Sequence, residues 1–267
     1  MTANEKKTAL VTGAGGGIGL ELTRLLAADS CDLVIVGRDR TRLEAVKAEL
    51  RSQYSVTVRC ESRDLSAESA GLQLWADITT AGTNVDVLIN NAGVALYGPL
   101  VEQDPTTLDR MLQLNMVTLT QLTRLALPGM LRRHWGRILN VSSVAAYQPG
   151  APWMATYYAT KAYVLSFSKG LALELSGSGV SVTALCPGPT DTSFDDRAGA
   201  GSDVLYKRLP KMTAAAVARA GYAGMKRQSM SVLPGLMTKA LAIGGEFPPR
   251  RVALEVNNFL WKLPSRR

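Results

Sequence analysis

Tyr157 and Lys161 stand four residues apart in Tyr157-Tyr158-Ala159-Thr160-Lys161, downstream of Asn140-Val141-Ser142-Ser143. A phenol has a reference pKa of about 10, so near neutrality it gives up its proton readily only where positive charge favours the phenolate. If the stretch is helical, the Lys161 ammonium supplies that charge, because positions i and i+4 share a face. Tyr158 is one residue closer to Lys161 and points to a different side. A serine hydroxyl after the upstream run can donate a hydrogen bond to an oxygen on which negative charge develops. Together these groups can polarise a carbonyl and hand it a proton.

Near the start lies Thr12-Gly13-Ala14-Gly15-Gly16-Gly17-Ile18-Gly19. Glycine serves where the chain takes positive φ or lets a ligand approach the backbone, and Gly13, Gly17 and Gly19 occupy such places. A helix opening near Ile18 offers its unpaired N–H groups and positive dipole end to a pyrophosphate. A strand before the glycines and an amphipathic helix after them favour dinucleotide binding over a plain turn. The next strand ends in Val36-Gly37-Arg38. An acidic residue there would bind the 2′-hydroxyl of NAD, whereas Arg38 suits the 2′-phosphate of NADP, so NADP(H) is favoured over NAD(H).

Short apolar runs alternating with helical patterns must position these groups, and that alternation predicts an α/β fold with a parallel sheet. Strands are expected at Thr8–Thr12, Leu33–Val36, Val56–Arg59, Val85–Asn90, Arg137–Val141 and Val180–Leu185. Helices are expected at Ile18–Ala28, Arg40–Arg51, Ala67–Thr80, from Asp104-Pro105 toward Leu127, and at Met154–Leu175. Six strands with right-handed crossovers give a doubly wound sheet, with the ligand site at the carboxyl ends of the strands. Beyond Pro187 the pattern loosens. A helix over Thr213–Lys226, a last strand at Ser229–Leu233 and a final helix over Arg250–Leu263 remain, and the aperiodic stretch from Phe194 to Lys211 reads as a lid or loop. The Met-containing stretch from Met225 to Met237 packs the domain or walls an adaptable apolar pocket.

The 267 residues, 46% of them hydrophobic, suffice for one large core. No apolar run is long enough to cross a bilayer and no leader-like core precedes the first strand, so a cytoplasmic protein is expected. Cys31, Cys60 and Cys186 are widely spaced and read as core residues, with neither a disulfide framework nor a metal site implied. His134, the sole histidine, stands in Arg132-Arg133-His134-Trp135-Gly136 and reads as a turn residue, which leaves a Ser-His-Asp triad unsupported. The net charge of +8 is uneven: from Arg197 onward 13 Lys and Arg face 3 Asp and Glu. That segment is either a solvated surface or one that meets something anionic, such as a phosphate-bearing acyl carrier, a nucleotide or a lipid headgroup. Aromatic interleaving of the kind nucleic-acid platforms use is missing.

The glycine turn, Asn90-Asn91-Ala92-Gly93, Asn115, Tyr157-x3-Lys161 and Pro187-Gly188 resemble, in order, the motifs of the short-chain dehydrogenase/reductase family. The resemblance covers about residues 8–192, the cofactor-binding and catalytic part of a single Rossmann-like domain whose residues 193–267 form a substrate lid and C-terminal helices. It implies a nicotinamide cofactor in contact with Gly13, Gly15, Gly17, Ile18, Gly19, Arg38, Asp64 and Leu65. Further contacts are implied at Asn91, Ala92, Gly93, Tyr157, Lys161, Pro187, Gly188, Thr190 and Thr192. Tyr157 is then the general acid in carbonyl reduction and the base in alcohol oxidation, Lys161 lowers its pKa and binds ribose, and Asn115 holds a water that passes protons toward Lys161. The family usually has one residue fewer between its serine and tyrosine, which leaves Ser142 open beside Ser143, although the match of Asn140-Val141-Ser142-Ser143 favours Ser143.

The expected activity is an NADP(H)-dependent interconversion of a carbonyl and a secondary alcohol, on a small substrate that is lipid-like or carried on an anionic group. A non-catalytic NADP-binding redox sensor on the same fold is the alternative. Relatives pair through the helices bearing Asn115 and Tyr157, which implies a homodimer or homotetramer. No nucleic-acid partner is expected, and the basic C-terminal region offers a weak contact with a membrane surface.

Overall fold

The computed structural model describes residues 6–192, 194 and 209–261. Its centre is a seven-stranded parallel sheet in the order β3-β2-β1-β4-β5-β6-β9. The first four strands are β1 (Thr8–Thr12), β2 (Asp32–Gly37), β3 (Val58–Ser62) and β4 (Val87–Asn90). They are followed by β5 (Gly136–Val141), β6 (Val180–Leu185) and the two-residue β9 (Ser231–Val232). The chain winds outward from β1 to β3 and then returns to add β4 on the other side of β1. The winding direction therefore reverses between β1 and β4, and a crevice opens at their carboxyl ends.

Both faces of the sheet are covered, so its central strands are apolar on both sides. Ala9 and Val11 of β1 pack into one core with Leu22 and Leu26 of α1 (Gly17–Ala28) and with Val217 of α7 (Ala214–Lys226). Leu10, one residue between them, enters the opposite core with Leu74 of α3 (Ala70–Thr80) and Leu122 of α5 (Leu119–Arg132). The helix α2 (Arg40–Gln53) is capped by Asp39, whose carboxylate accepts from the Arg42 N–H at 3.0 Å. Asp104 caps α4 (Pro105–Leu112) in the same way, with proline in the first turn.

Several boundaries depart from those expected. The strand β3 begins at Val58 rather than Val56, because its register with β2 runs from Leu33↔Val58 to Gly37↔Ser62. It is an edge strand bearing Arg59, Glu61 and Ser62, and such polar edges blur the alternating pattern. Residues 67–69 form a turn before α3, with Ser69 at φ 57°. The long helix that holds Asn115 continues to Arg132 and is interrupted by a π turn over Gln113–Thr118. β9 pairs with β6 through Ala184↔Ser231 and Leu185↔Val232, a shorter seventh strand than the sequence suggested.

Two features were not expected. Thr190–Asp191 (β7) pairs with Met212–Thr213 (β8) in a small parallel ladder, and a helix α8 occupies Leu236–Glu246 ahead of α9 (Arg250–Trp261). Most of the Phe194–Lys211 stretch lies outside the described residues. Cys31 and Cys186 are buried, Cys60 is half-buried, and all three are free thiols. No helix among the described residues is long and apolar enough to cross a membrane.

Candidate active site

The glycine turn closes on itself tightly. Gly13 and Gly17 have φ of 69° and 56°, and a Cβ at Gly19 would stand 2.3 Å from the Gly13 carbonyl oxygen and 2.4 Å from Asn91 Nδ2. The first helical turn therefore abuts the strand end as only a residue without a side chain allows. Asn91, just past β4, ties the two halves together: its Nδ2 donates to the carbonyls of Thr12 (3.0 Å) and Gly13 (3.2 Å). The Thr12 hydroxyl accepts from the N–H groups of Asn91 and Ala92, each at 3.0 Å, and donates to the Ile89 carbonyl. Between these fixed points the backbone is bare, since a Cβ at Gly16 would meet nothing within 4 Å. A bare turn at a helix N-terminus is a cradle that suits a pyrophosphate.

A buried polar chain sets the tyrosine helix, α6 (Ala155–Glu174), against the sheet. Asn90 Nδ2 donates to Asn140 Oδ1 (2.9 Å) and to the Thr123 hydroxyl (3.0 Å), and Asn140 Nδ2 donates to Ser168 on α6 (2.9 Å). Higher on the same helix, Lys161 Nζ donates to the Val141 carbonyl at 3.0 Å and lies 5.7 Å from the centre of the Tyr157 ring. Burial pulls the Lys161 ammonium down to about 8. No carboxylate pairs with it among the described residues.

The two serines have different employment. Ser142 is buried and its hydroxyl donates to the Lys161 carbonyl at 2.8 Å, which commits its one proton. Ser143 Oγ accepts from the Ala145 N–H at 3.1 Å, at the head of a short 3₁₀ turn over Val144–Tyr147, and in that bond it keeps its proton to give. The neighbouring tyrosines also differ. Tyr158 Oη accepts from the Trp261 indole N–H at 2.9 Å, and burial pushes its phenol well above the ordinary value. Tyr157, 8% exposed, packs its ring 5.9 Å from that of Phe194.

One cavity of about 300 Å³ connects these parts. Gly37, Arg38, Asp39 and Arg42 line one end; Gly13, Gly15, Gly17, Ile18 and Asn91–Gly93 line the middle. Ser142, Ser143, Tyr157, Lys161, Pro187, Gly188, Thr190 and Thr192 follow, and Ala145, Met154, Tyr158, Phe194 and Trp261 form an apolar, aromatic far end. Gly19 stands behind the turn and shapes it. The groups that could polarise a carbonyl thus share a chamber with the cradle that could hold a dinucleotide.

Besides Gly19, three expected site residues stand apart from that lining. The Asp64 carboxylate accepts from the Ser66 N–H (3.0 Å) and hydroxyl (2.6 Å) and pairs with Arg110. Burial alone would raise it, but those partners hold it below the usual carboxylate range. Leu65 is buried, its carbonyl accepting from Thr118 at 2.9 Å. Asn115 lies in the π turn, where its Nδ2 donates to the Val94 carbonyl (2.9 Å) and the Thr160 hydroxyl (3.1 Å) and its Oδ1 accepts from the Val94 N–H (3.0 Å). Both its N–H bonds are thus spent on the protein. It still borders the site, since a Cβ at Gly93 would be 3.3 Å from Asn115 Oδ1 and 3.4 Å from Lys161 Nζ. Tyr158, assigned to another side, lines the same cavity at its apolar end.

Arg42, Met154, Phe194 and Trp261 are lining residues that sequence reasoning missed. Arg42 had a signal, as the third residue after the capping Asp39 and one turn beyond Arg38. Trp261 had none, because the residue it bonds lies 103 positions earlier.

Comparison with known proteins gives this arrangement its relatives. The sequence model of the short chain dehydrogenase family matches residues 7–202. The ketoacyl reductase HetN of a Nostoc strain is 31% identical over 265 residues, covering 94% of this chain and 88% of its own. A short-chain dehydrogenase from Sphingobium yanoikuyae, solved in complex with NADPH, is 35% identical with a TM-score of 0.80, covering 88% of this chain and 90% of its own. The bulky-bulky ketone specific alcohol dehydrogenase from Comamonas testosteroni is 30% identical with a TM-score of 0.75, covering 87% of this chain and 88% of its own. The chain belongs to the short-chain dehydrogenase family and is an oxidoreductase of the alcohol–carbonyl class that uses an NAD(P) cofactor.

Proposed function

We propose that the protein uses NADP(H) to interconvert a ketone and a secondary alcohol on a bulky, apolar substrate, with Tyr157 as the general acid in reduction and the general base in oxidation. The observation that carries this reading is the buried Lys161 ammonium beside the Tyr157 ring, with no carboxylate paired to it among the described residues. A positive charge in that position stabilises the phenolate left when Tyr157 gives its proton to the carbonyl oxygen. The Ser143 hydroxyl donates a hydrogen bond to the same oxygen as its charge grows, which lowers the barrier because the donor is already in place. Ser142 holds the Lys161 backbone, and Asn115 fixes the Val94 backbone and Thr160, so both act as positioning residues.

When bound, the nicotinamide supplies or accepts the hydride. The chain would hold the cofactor through the glycine cradle at the N-terminus of α1, through Asn91–Gly93, and through Pro187, Gly188, Thr190 and Thr192 on the nicotinamide side. Lys161 would bind its ribose. Arg38 and Arg42 together give the end of the cavity opposite the aromatic one two guanidinium groups, the planar donors suited to a 2′-phosphate. The NADPH in the Sphingobium relative supports this choice. The ketoacyl and bulky-ketone relatives support an apolar substrate against Ala145, Met154, Phe194 and Trp261.

The test is NADPH oxidation by the purified chain over a panel of bulky and long-chain ketones, with NADH in parallel. Tyr157→Phe should lose about 10²–10⁴ in kcat while still binding NADPH, and Arg38→Asp should erode the preference for NADPH over NADH. Undiminished ketone reduction by a folded Tyr157→Phe enzyme would overturn the acid–base assignment, and an unchanged coenzyme preference in Arg38→Asp would overturn the phosphate assignment.

A further inference from the structure

The helices α8 and α9 bury one face each and leave the other apolar. On α8, Thr238, Ala242 and Gly245 face inward, while Leu236, Ala240, Ile243 and Phe247 follow one another at helical spacing on the outside. Leu236 is 84% exposed, Ile243 57% and Phe247, the residue ending the helix, 80%. On α9, Ala253, Asn257 and Trp261 face inward, and Val252, Val256 and Phe259 repeat at i, i+4 and i+7 on the opposite side, Phe259 at 69% exposure. A surface helix normally turns charged residues outward, so an outer apolar stripe on each of two successive helices marks a face made to be covered.

The charges around this face indicate what covers it. Lys239, Arg250 and Arg251 are exposed, and their side chains make no hydrogen bond or ion pair among the described residues. Glu246 and Glu255 are the acids of the two helices, and Lys262, Arg266 and Arg267 follow in the sequence with no further acid. Apolar side chains among unpaired lysines and arginines match the boundary layer of an anionic bilayer, where hydrocarbon lies beneath phosphate headgroups.

We propose that the outer face of α8 and α9 docks the protein on an anionic lipid surface. Phe247, Ile243, Val256 and Phe259 enter the headgroup boundary, and Lys239, Arg250 and Arg251 rest on the phosphates. The inner face of α9 meanwhile presents Trp261 to the cavity, so one helix touches both the membrane and the apolar end of the site. Docking does not depend on the acid–base assignment and is read without turnover.

The experiment is co-sedimentation of the full chain with phosphatidylcholine vesicles, with and without phosphatidylglycerol, at low and high salt, alongside its mass in solution. Partition should require phosphatidylglycerol and fall with salt. Arg250→Gln with Arg251→Gln should weaken it about twenty-fivefold, taking about fivefold for each cation lost at the surface. Phe247→Glu with Phe259→Glu, both at exposed positions, should abolish it while thermal melting and NADPH binding stay as in the wild type. The proposal is overturned if the wild type stays in the supernatant, if pure phosphatidylcholine binds it equally, or if the phenylalanine variants sediment undiminished. It is also overturned if those variants lower the mass of the protein in solution while vesicles bind neither form, because a second copy then covers the face.

Discussion

Ser142 and Ser143 are adjacent, yet the structure gives them opposite duties, and replacing each by alanine separates the two. Ser142 is buried and its hydroxyl donates to the Lys161 carbonyl at 2.8 Å. Its loss removes one buried hydrogen bond, worth about 1 kcal/mol, which lowers the melting temperature by about 2–4 °C in a protein of this size. The ammonium end of Lys161 keeps its own bond to the Val141 carbonyl, so Ser142→Ala should retain most of its kcat. Ser143 Oγ accepts from Ala145 N–H and has its proton free to follow the charge on a reacting oxygen. Removing a preorganised donor of that kind costs about 10²–10³ in kcat, so Ser143→Ala should be folded, able to bind NADPH and nearly inert. The assays are steady-state ketone reduction at saturating NADPH and thermal melting of both variants. A hundredfold loss in Ser142→Ala, with Ser143→Ala close to wild type, would refute the assignment.

Gly19→Ala places a methyl 2.3 Å from the Gly13 carbonyl and should destabilise the protein by about 1–3 kcal/mol and abolish NADPH binding, whereas Gly16→Ala, with open space around it, should melt within about 0.5 kcal/mol of wild type; equal melting of the two would contradict the packing described. Burial lowers the Lys161 ammonium to about 8, so the charged form is present below that pH and lost as pH rises through it. The kcat/KM for reduction, which reports the free enzyme, should therefore fall on the alkaline side from about pH 8, and a profile flat well beyond it would argue against an essential ammonium. Trp261→Phe removes the indole N–H that Tyr158 accepts at 2.9 Å and should cost about 1 kcal/mol of stability. The same change should raise KM for bulky ketones more than for small ones, and an unchanged KM ratio would place the substrate elsewhere.

Much of this was legible before any coordinates, for a reason specific to each part. The glycine turn and the Tyr157–Lys161 pair are local: their meaning lies within one turn and one helix face, and the structure places both around the same crevice. The covered central strands announced themselves as apolar runs. Long-range partnerships did not. Asp64 was legible as a cofactor-contact candidate, but its pairing with Arg110, far along the chain, was not. Likewise Trp261 is one more apolar residue of a terminal helix until Tyr158 receives its N–H. The helix α8 escaped notice because it is apolar on both faces and holds Gly244 and Gly245, so neither an amphipathic pattern nor strong propensity marked it.

The three thiols bear on how the protein can be handled. Burial pushes Cys31 up to about 11 and Cys186 up to about 12, and so keeps both as unreactive thiols at neutral pH. Cys60 is also raised, yet it alone of the three is partly open to solvent, on the edge strand β3 and outside the cavity lining. A maleimide dye under mild conditions should therefore settle on one position without any cysteine being engineered away. A fluorophore there would sit just behind the chamber wall, beside Leu43, whose carbonyl accepts from the Cys60 thiol at 3.4 Å.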